Sequence, residues 1–304
     1  MAPMTERPWL PLAVLGVGVL AVSWSAILIR EAAAPALVIG AYRLMFASVP
    51  MGALAVVQQR RAPEPFARST SLLLAVSGAL LAAHFGFWIA SVQQTSVVTA
   101  VVLVASQPLY VAVASPLLLR ERVEPHVWLA ILVATAGALT MAADDFDDGW
   151  GTIAGDIYGL LAGGFAAGYL MIGRRLRPEL SWPRYVGTVY PVTAAILVIA
   201  ALVAGESFGG YSTRTFIMMG LLALGPQLVG HNAINWSLAY LPAVVVAIGI
   251  LGEPVGSTIW ATIVLDEFPS GAEMAGAPLV LLGVYIAIRP RRQEHLDLEI
   301  AAAD

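Results

Sequence analysis

The chain contains no cysteine and no lysine, so all 16 of its basic residues are arginine. The absence of cysteine excludes disulfides, thiolate metal sites and CxxC redox motifs. The absence of lysine excludes a Walker A loop, and with it ATP hydrolysis by that route. The sequence carries no metal-binding motif and no supported catalytic triad. We therefore expect no cofactor, no metal ion and no catalytic residue.

Charge is also scarce. Only 12% of the 304 residues are charged, whereas a soluble domain usually carries about 25%. Hydrophobic residues make up 59% of the chain, and the mean hydropathy is +0.81. So few charged residues cannot cover a surface that faces water. Most of the chain must therefore face lipid. One membrane span needs about 20 apolar residues, which leaves no room for a sizeable soluble domain beside ten spans.

Ten apolar segments divide the chain, and they predict an all-α membrane protein with ten transmembrane helices. The predicted segments are 9–29, 35–57, 70–91, 96–119, 124–142, 151–173, 184–204, 214–239, 242–265 and 271–289. The first apolar run is too long for a cleaved signal peptide, so we expect it to remain as a membrane span.

The arginines indicate the orientation of the spans. With a cytoplasmic N-terminus, 13 of the 16 arginines fall on the cytoplasmic side, Arg30 and Arg214 fall outside, and Arg43 lies within the second span. Cytoplasmic loops of membrane proteins carry such an excess of positive charge. The sequence therefore predicts a multi-pass protein of the bacterial inner membrane with both termini in the cytoplasm.

Two halves of the chain resemble each other at an offset near 146 residues. The matching positions are His84 and His231, Gln107-Pro108 and Glu253-Pro254, Glu121 and Glu267, and Gly137 and Gly283. Each half holds five helices, an odd number, so the second half must insert upside down. We predict a first repeat over 1–145, an inverted second repeat over 146–290 and a cytoplasmic tail over 291–304. Inverted repeats are typical of transporters, whose substrate site lies between the halves near the midplane.

The repeated pattern resembles the EamA family of the drug/metabolite transporter superfamily. Each half has a helix with a central proline, Pro108 or Pro254, followed thirteen residues later by Glu121 or Glu267. A helix that contains glycine follows in both halves, and the resemblance covers residues 9–289. It implies an exporter similar to the YddG-type aromatic amino acid exporters. It also implies a central cavity lined by helices 1, 3, 4, 6, 8 and 9.

Glu253 is the most informative candidate site residue. It lies inside the ninth segment between Gly252 and Pro254, where a charged carboxylate is costly unless paired or hydrated. Proline removes a backbone hydrogen bond, so we predict a broken helix with gating residues Gly252 and Pro254, and Pro108 in the other half. The repeat position of Glu253 is Gln107, which cannot titrate. A purely structural glutamate remains the alternative.

Further candidate substrate-binding residues are His84, Trp88, Gln107, Gln227, His231, Asn235, Glu253 and Trp24. Gln227, His231 and Asn235 follow one another at α-helical spacing and predict a single polar stripe on the eighth segment. Such a stripe must face other helices or a hydrated cavity. Trp88 lies one turn after His84, and its ring could stack on an aromatic substrate. Hydrogen bonding between helices is the alternative for the amide side chains.

Arg43 could pair with a substrate carboxylate, with Glu31 or with Glu253. A structural role is the preferred interpretation, in which the guanidinium bonds carbonyl groups or reaches outward to the membrane interface.

The leading functional hypothesis is export of a small amphipathic metabolite, a neutral or aromatic amino acid, by alternating access. A proton-coupled multidrug or quaternary-ammonium exporter is the alternative within the same superfamily, and a channel or an intramembrane enzyme is less favoured. The expected partners are the small-molecule substrate and membrane lipid, without nucleic acid. Coupling to protons and a monomeric state are left open.

Overall fold

A computed structural model describes residues 9–61, 65–95, 97–141, 143, 153–265 and 268–289. Within these ranges every regular element is helical. Some sequence features lie outside the described residues: Arg7, the acidic cluster at 144–148, Glu267 and the tail over 291–304.

Ten helical segments follow one another, and their ends lie within four residues of the predicted boundaries. They are α1 (Leu10–Glu31), α2 (Ala36–Arg61), α3 (Arg68–Gln94), α4 (Val97–Val104 and Gln107–Leu118), α5 (Pro125–Met141), α6 (Ile153–Leu176), α7 (Trp182–Val203), α8 (Thr213–Ser237), α9 (Ala243–Ile250 and Glu253–Leu265) and α10 (Gly271–Ile288).

Nine of these segments, counted over the described residues, are long and apolar enough to cross a membrane. The remaining one, α5, is apolar over 17 residues. At 1.5 Å per residue α5 is about 25 Å long, close to the thickness of the hydrocarbon core. Large apolar side chains such as Val49, Val113 and Leu117 are more than 60% exposed, as expected for a surface that faces lipid.

The contact between α5 and α10 shows that the two repeats are inverted. A Cβ atom on Gly137 would lie 2.6 Å from the backbone nitrogen of Val280, and one on Gly283 would lie 2.6 Å from the Cβ of Ala134. Gly137 and Gly283 are 146 residues apart, and so are Ala134 and Val280. The two contacts are therefore the same contact seen twice, with the helices antiparallel. This arrangement is what a two-fold axis in the membrane plane produces.

Four helices are interrupted. The turn at Ala105 and Ser106 divides α4, and the turn at Leu251 and Gly252 divides α9, again 146 residues apart. The predicted break beside Glu253 is therefore present. Its counterpart beside Pro108 is present too.

The interruptions of α1 and α8 were not expected from the sequence. Helix α1 breaks at Ser23 and Trp24, where the Ser23 hydroxyl donates to the Val19 carbonyl at 2.7 Å. Helix α8 contains a π-helical turn over Ala223–His231, with Pro226 inside it. Proline and serine both compete with regular backbone hydrogen bonding, which explains the location of these irregularities.

Candidate functional site

A central cavity lies between the two repeats. Its wall takes residues from α1, α3, α4, α6, α8 and α9. This set of helices is the one that the family resemblance implied. The cavity is small, with a volume of about 50 Å³, which is room for a few waters.

The structure brings together some of the predicted site residues and not others. His84, Trp88, Gln107, His231, Glu253 and Pro254 line the cavity. Five others are not part of its wall: Trp24, Pro108, Gln227, Asn235 and Gly252. Pro108 and Gly252 lie instead at the breaks of α4 and α9.

One side of the cavity is aromatic. The rings of His84 and Trp88 are stacked at a centroid distance of 6.3 Å and an angle of 11°. Phe85 contacts the His231 ring at 5.2 Å, and the two histidine rings lie 6.4 Å apart. The repeat-equivalent histidines therefore meet at the centre of the molecule, as their shared offset suggests.

Several polar atoms in the wall have no hydrogen-bond partner among the described residues. They are the indole nitrogen of Trp88, the amide nitrogen of Gln107 and Nδ1 of His231. His84 differs, because its Nδ1 lies 3.0 Å from the carbonyl oxygen of Ala162 and must donate to it. In a neutral ring this leaves Nε2 of His84 as an acceptor. Buried polar atoms are nearly always hydrogen-bonded, so these groups are available to water or to a ligand in the cavity.

Glu253 is the first residue of the second half of α9 and faces the same cavity. Its side chain is only 8% exposed and makes no hydrogen bond within the described ranges. No other carboxylate lies among the described lining residues. Gln107 takes the equivalent place at the start of the second half of α4. The cavity thus has one carboxylate and one amide where the two-fold axis would place identical groups.

The polar stripe predicted on α8 is divided between three surroundings. Gln227 and Asn235 are fully buried, so the prediction that they avoid lipid is confirmed. Of the three, only His231 lines the cavity, and both Gln227 and His231 belong to the π-helical turn. Gln227 reaches Arg43 on α2, and Asn235 accepts a hydrogen bond from Tyr169 on α6 at 2.8 Å.

Trp24 packs between helices. Its ring lies edge-on against Trp260 at 4.8 Å, next to the break of α1. This contact joins α1 to α9 near the cavity, where Val22 and Ser25 provide the α1 part of the wall.

Sequence reasoning missed Phe85 and Tyr169 as lining residues. Phe85 directly follows His84, and neighbours on a helix point about 100° apart, so the two were not expected on one wall. Tyr169 belongs to a buried phenol network that spans four helices, in which Tyr185 bonds Ser77 at 2.8 Å and Tyr190 donates to Asn232 at 2.7 Å. No sequence spacing links these partners, because each lies on a different helix.

The fold and the cavity together define a multi-pass membrane transporter built from two inverted repeats. The chain belongs to the EamA-like transporter family, whose profile matches residues 7–143 and again residues 153–289. This membership makes the protein a transporter and not an enzyme.

Two further likenesses agree with this assignment. The uncharacterized transporter YwfM of Bacillus subtilis strain 168 is 24% identical over 269 residues, which cover 87% of this chain and 88% of that protein. A solved structure described as "Crystal structure of protein" is 16% identical, with a TM-score of 0.73, and the match covers 91% of this chain and 96% of the other. At that identity the structural match shows the fold alone.

Proposed function

We propose that the protein exports small amphipathic metabolites, foremost neutral or aromatic amino acids, from the cytoplasm by alternating access. The observation that carries the proposal is the set of unpartnered polar groups in a cavity with an aromatic wall. An aromatic amino acid has the matching chemistry, since its ring can stack on Trp88 while its polar end takes the free donors.

The arginines support an inner-membrane location with both termini in the cytoplasm. Arg60 and Arg61 end α2, and Arg174 and Arg175 end α6. Because successive helices alternate in direction, these ends lie on the same side of the membrane. The positive-inside rule assigns that side to the cytoplasm.

The helix breaks support alternating access. A cavity this small must enlarge and open before a metabolite can enter or leave. The turns at Ala105–Ser106 and Leu251–Gly252 lie beside the cavity in both repeats and are suitable hinges. Discontinuous helices around a central site are a common feature of secondary transporters.

A proton-coupled exporter of drugs or quaternary ammonium compounds is the second candidate, and Glu253 favours it. A carboxylate in a closed cavity can bind a cation or a proton. However, the guanidinium of Arg43 interacts electrostatically with Glu253 and brings a positive charge close to the cavity. That charge disfavours a substrate with a permanent positive charge.

Counterflow in proteoliposomes tests the proposal. Vesicles with the purified protein would be loaded with one unlabelled compound from a panel of amino acids, quaternary ammonium compounds and sugars, then given the labelled compound outside. Saturable uptake of amino acids, inhibited by other amino acids, is the expected result. Selective uptake of quaternary ammonium compounds would support the second candidate, and flux that rises linearly without saturation would indicate a channel.

A further inference from the structure

Arg43 is held inside the protein with both terminal nitrogens of its guanidinium unused. Its side chain on α2 is fully buried, and its Nε donates to the Oε1 atom of Gln227 at 2.8 Å. The guanidinium lies 4.2 Å above the centre of the Phe85 ring. Both terminal nitrogens, Nη1 and Nη2, are buried and have no hydrogen-bond partner in the part of the chain that is described. The side chain thus lies away from the interface and bonds the side-chain carbonyl of Gln227, which the structural interpretation allows, but that bond uses only Nε.

An arginine in this state is costly. The guanidinium remains charged at any physiological pH, and a buried charge without a hydrogen-bonded counterion destabilises a protein by several kcal/mol in general. Glu253 attracts the charge, but no ion pair joins the two side chains in the structure. Gln227 orients the guanidinium without neutralising it. A residue held in this way is prepared for an anionic partner.

The geometry selects the chemistry of that partner. Nη1 and Nη2 form the end of a planar fork, and a carboxylate can accept two parallel hydrogen bonds from such a fork. Nε is already taken by Gln227, so the terminal edge is the free one. Phe85 lines the cavity and also lies against the guanidinium. The free fork is therefore in contact with a residue of the cavity wall.

From this arrangement we infer that Arg43 binds the carboxylate of the transported compound. The inference rests on the proposed function and deepens it, because it restricts the substrate class to compounds that carry a carboxylate. Glu253, with the opposite charge, suits the ammonium group of the same molecule. A zwitterionic amino acid can pair with Arg43 and Glu253 at the same time. A purely cationic drug can pair with Glu253 but is repelled by Arg43.

The test compares two compounds that differ in the carboxylate. Uptake of phenylalanine and of phenylalaninamide would be measured in proteoliposomes with the native protein, with Arg43→Gln and with the control Arg122→Gln, which removes an exposed arginine. We expect Arg43→Gln to raise the KM for phenylalanine by about 10- to 100-fold, and to leave the weaker uptake of the cationic amide unchanged or increased, because the charge that repels it is gone. The control should behave like the native protein. The KM of Arg43→Lys for phenylalanine should lie between those of the native protein and Arg43→Gln, because lysine keeps the charge but cannot form two parallel hydrogen bonds.

Thermal unfolding in detergent shows whether each variant is folded, and Arg43→Lys takes the place of Arg43→Gln if the latter is not. An equal loss of uptake for phenylalanine and its amide would overturn the inference. It would indicate that Arg43 interacts with Glu253 and not with the substrate carboxylate. If the native protein transports another carboxylate and no amino acid, the proposed substrate is wrong, and the same variants tested with that carboxylate still decide the role of Arg43. A transported compound without any carboxylate would overturn both.

Discussion

Gln107 and Glu253 occupy the same position in the two repeats, 146 residues apart, and each begins the second half of a broken helix beside the central cavity. The two residues occupy equivalent positions, but one side chain is an amide and the other is a carboxylic acid. Gln107 has an unpartnered amide nitrogen, whereas Glu253 presents a carboxylate that can bind a proton. Within this pair, only Glu253 can therefore couple transport to protons.

We predict that Glu253→Gln changes the dependence of transport on pH. The substitution places the same side chain in both repeats and removes the titrating carboxylate while keeping its size. Transport by the native protein should vary with pH, and the variant should lose the part of that variation that Glu253 causes. His84 and His231 also line the cavity. Any pH dependence that remains in Glu253→Gln would therefore be attributed to these histidines.

The measurement is initial uptake into proteoliposomes over a range of pH, with Glu179→Gln as the control. Glu179 is exposed in the connection between α6 and α7, so its loss removes the same charge away from the cavity. An unchanged rate and pH profile in Glu253→Gln would exclude a coupling role for this residue.

Replacement of Trp88 should weaken the binding of aromatic substrates. Trp88→Ala removes a stacking surface and an unpartnered indole donor, so we expect the KM for an aromatic amino acid to rise by about tenfold. Trp88→Phe should retain most of the affinity, since it keeps a ring. Trp128→Ala is the control because Trp128 is 42% exposed at the start of α5. The interpretation fails if Trp88→Ala and Trp128→Ala have equal effects.

Alanine at either glycine of the contact between α5 and α10 should destabilise the protein. In Gly137→Ala the new Cβ would meet backbone atoms of Val280 and Gly276 at 2.6 and 2.8 Å, and Gly283→Ala makes the equivalent contact. Forcing atoms into such a site costs about 1 to 3 kcal/mol. Thermal unfolding in detergent should show a lower Tm for both variants and a similar loss in each.

Gly52→Ala provides the matched control for this pair. It also lies inside a helix, but a Cβ there would have nothing within 4 Å. Its Tm should be unchanged or slightly higher, because alanine favours the helix more than glycine does. A normal Tm in Gly137→Ala would mean that the helices can separate at no cost, against the close packing described above.

The orientation can be tested by labelling, since the chain has no cysteine of its own. Ser207→Cys lies in the exposed connection between α7 and α8, and Glu179→Cys lies in the connection before it. A thiol reagent that cannot cross membranes should label Ser207→Cys in intact cells and Glu179→Cys only after the membrane is permeabilised. The reverse result would place both termini outside the cytoplasm.

The path of the chain was predictable from the sequence, because lipid imposes a strong and simple requirement on span length and polarity. The helix ends and the break beside Glu253 followed from hydropathy and proline. The π-helical turn of α8 did not follow. Sequence spacing assumes a regular α-helix, whereas Gln227 and His231 lie in a turn of different pitch.

The sequence alone could not choose between the possible partners of Arg43. An arginine within a span can be explained by several partners, and its actual contacts, Gln227 and Phe85, come from distant segments of the chain. Only the folded structure shows that these contacts leave Nη1 and Nη2 unused. The same is true of the phenol network of Tyr169, Tyr185 and Tyr190, whose members are joined through residues on other helices.

The symmetric contact of Gly137 and Gly283 has a consequence for the origin of the asymmetric pair Gln107 and Glu253. Two identical subunits packed across such an axis must carry the same residue at both positions, so a homodimer would have two acidic groups at its centre or none. Two acidic groups in one closed cavity would repel each other. Fusion of the halves into one gene product removes that requirement, because each half can then acquire its own substitutions. The peptide link between the repeats therefore permits a cavity with one carboxylate and one amide at equivalent positions, which a dimer of identical halves could not assemble.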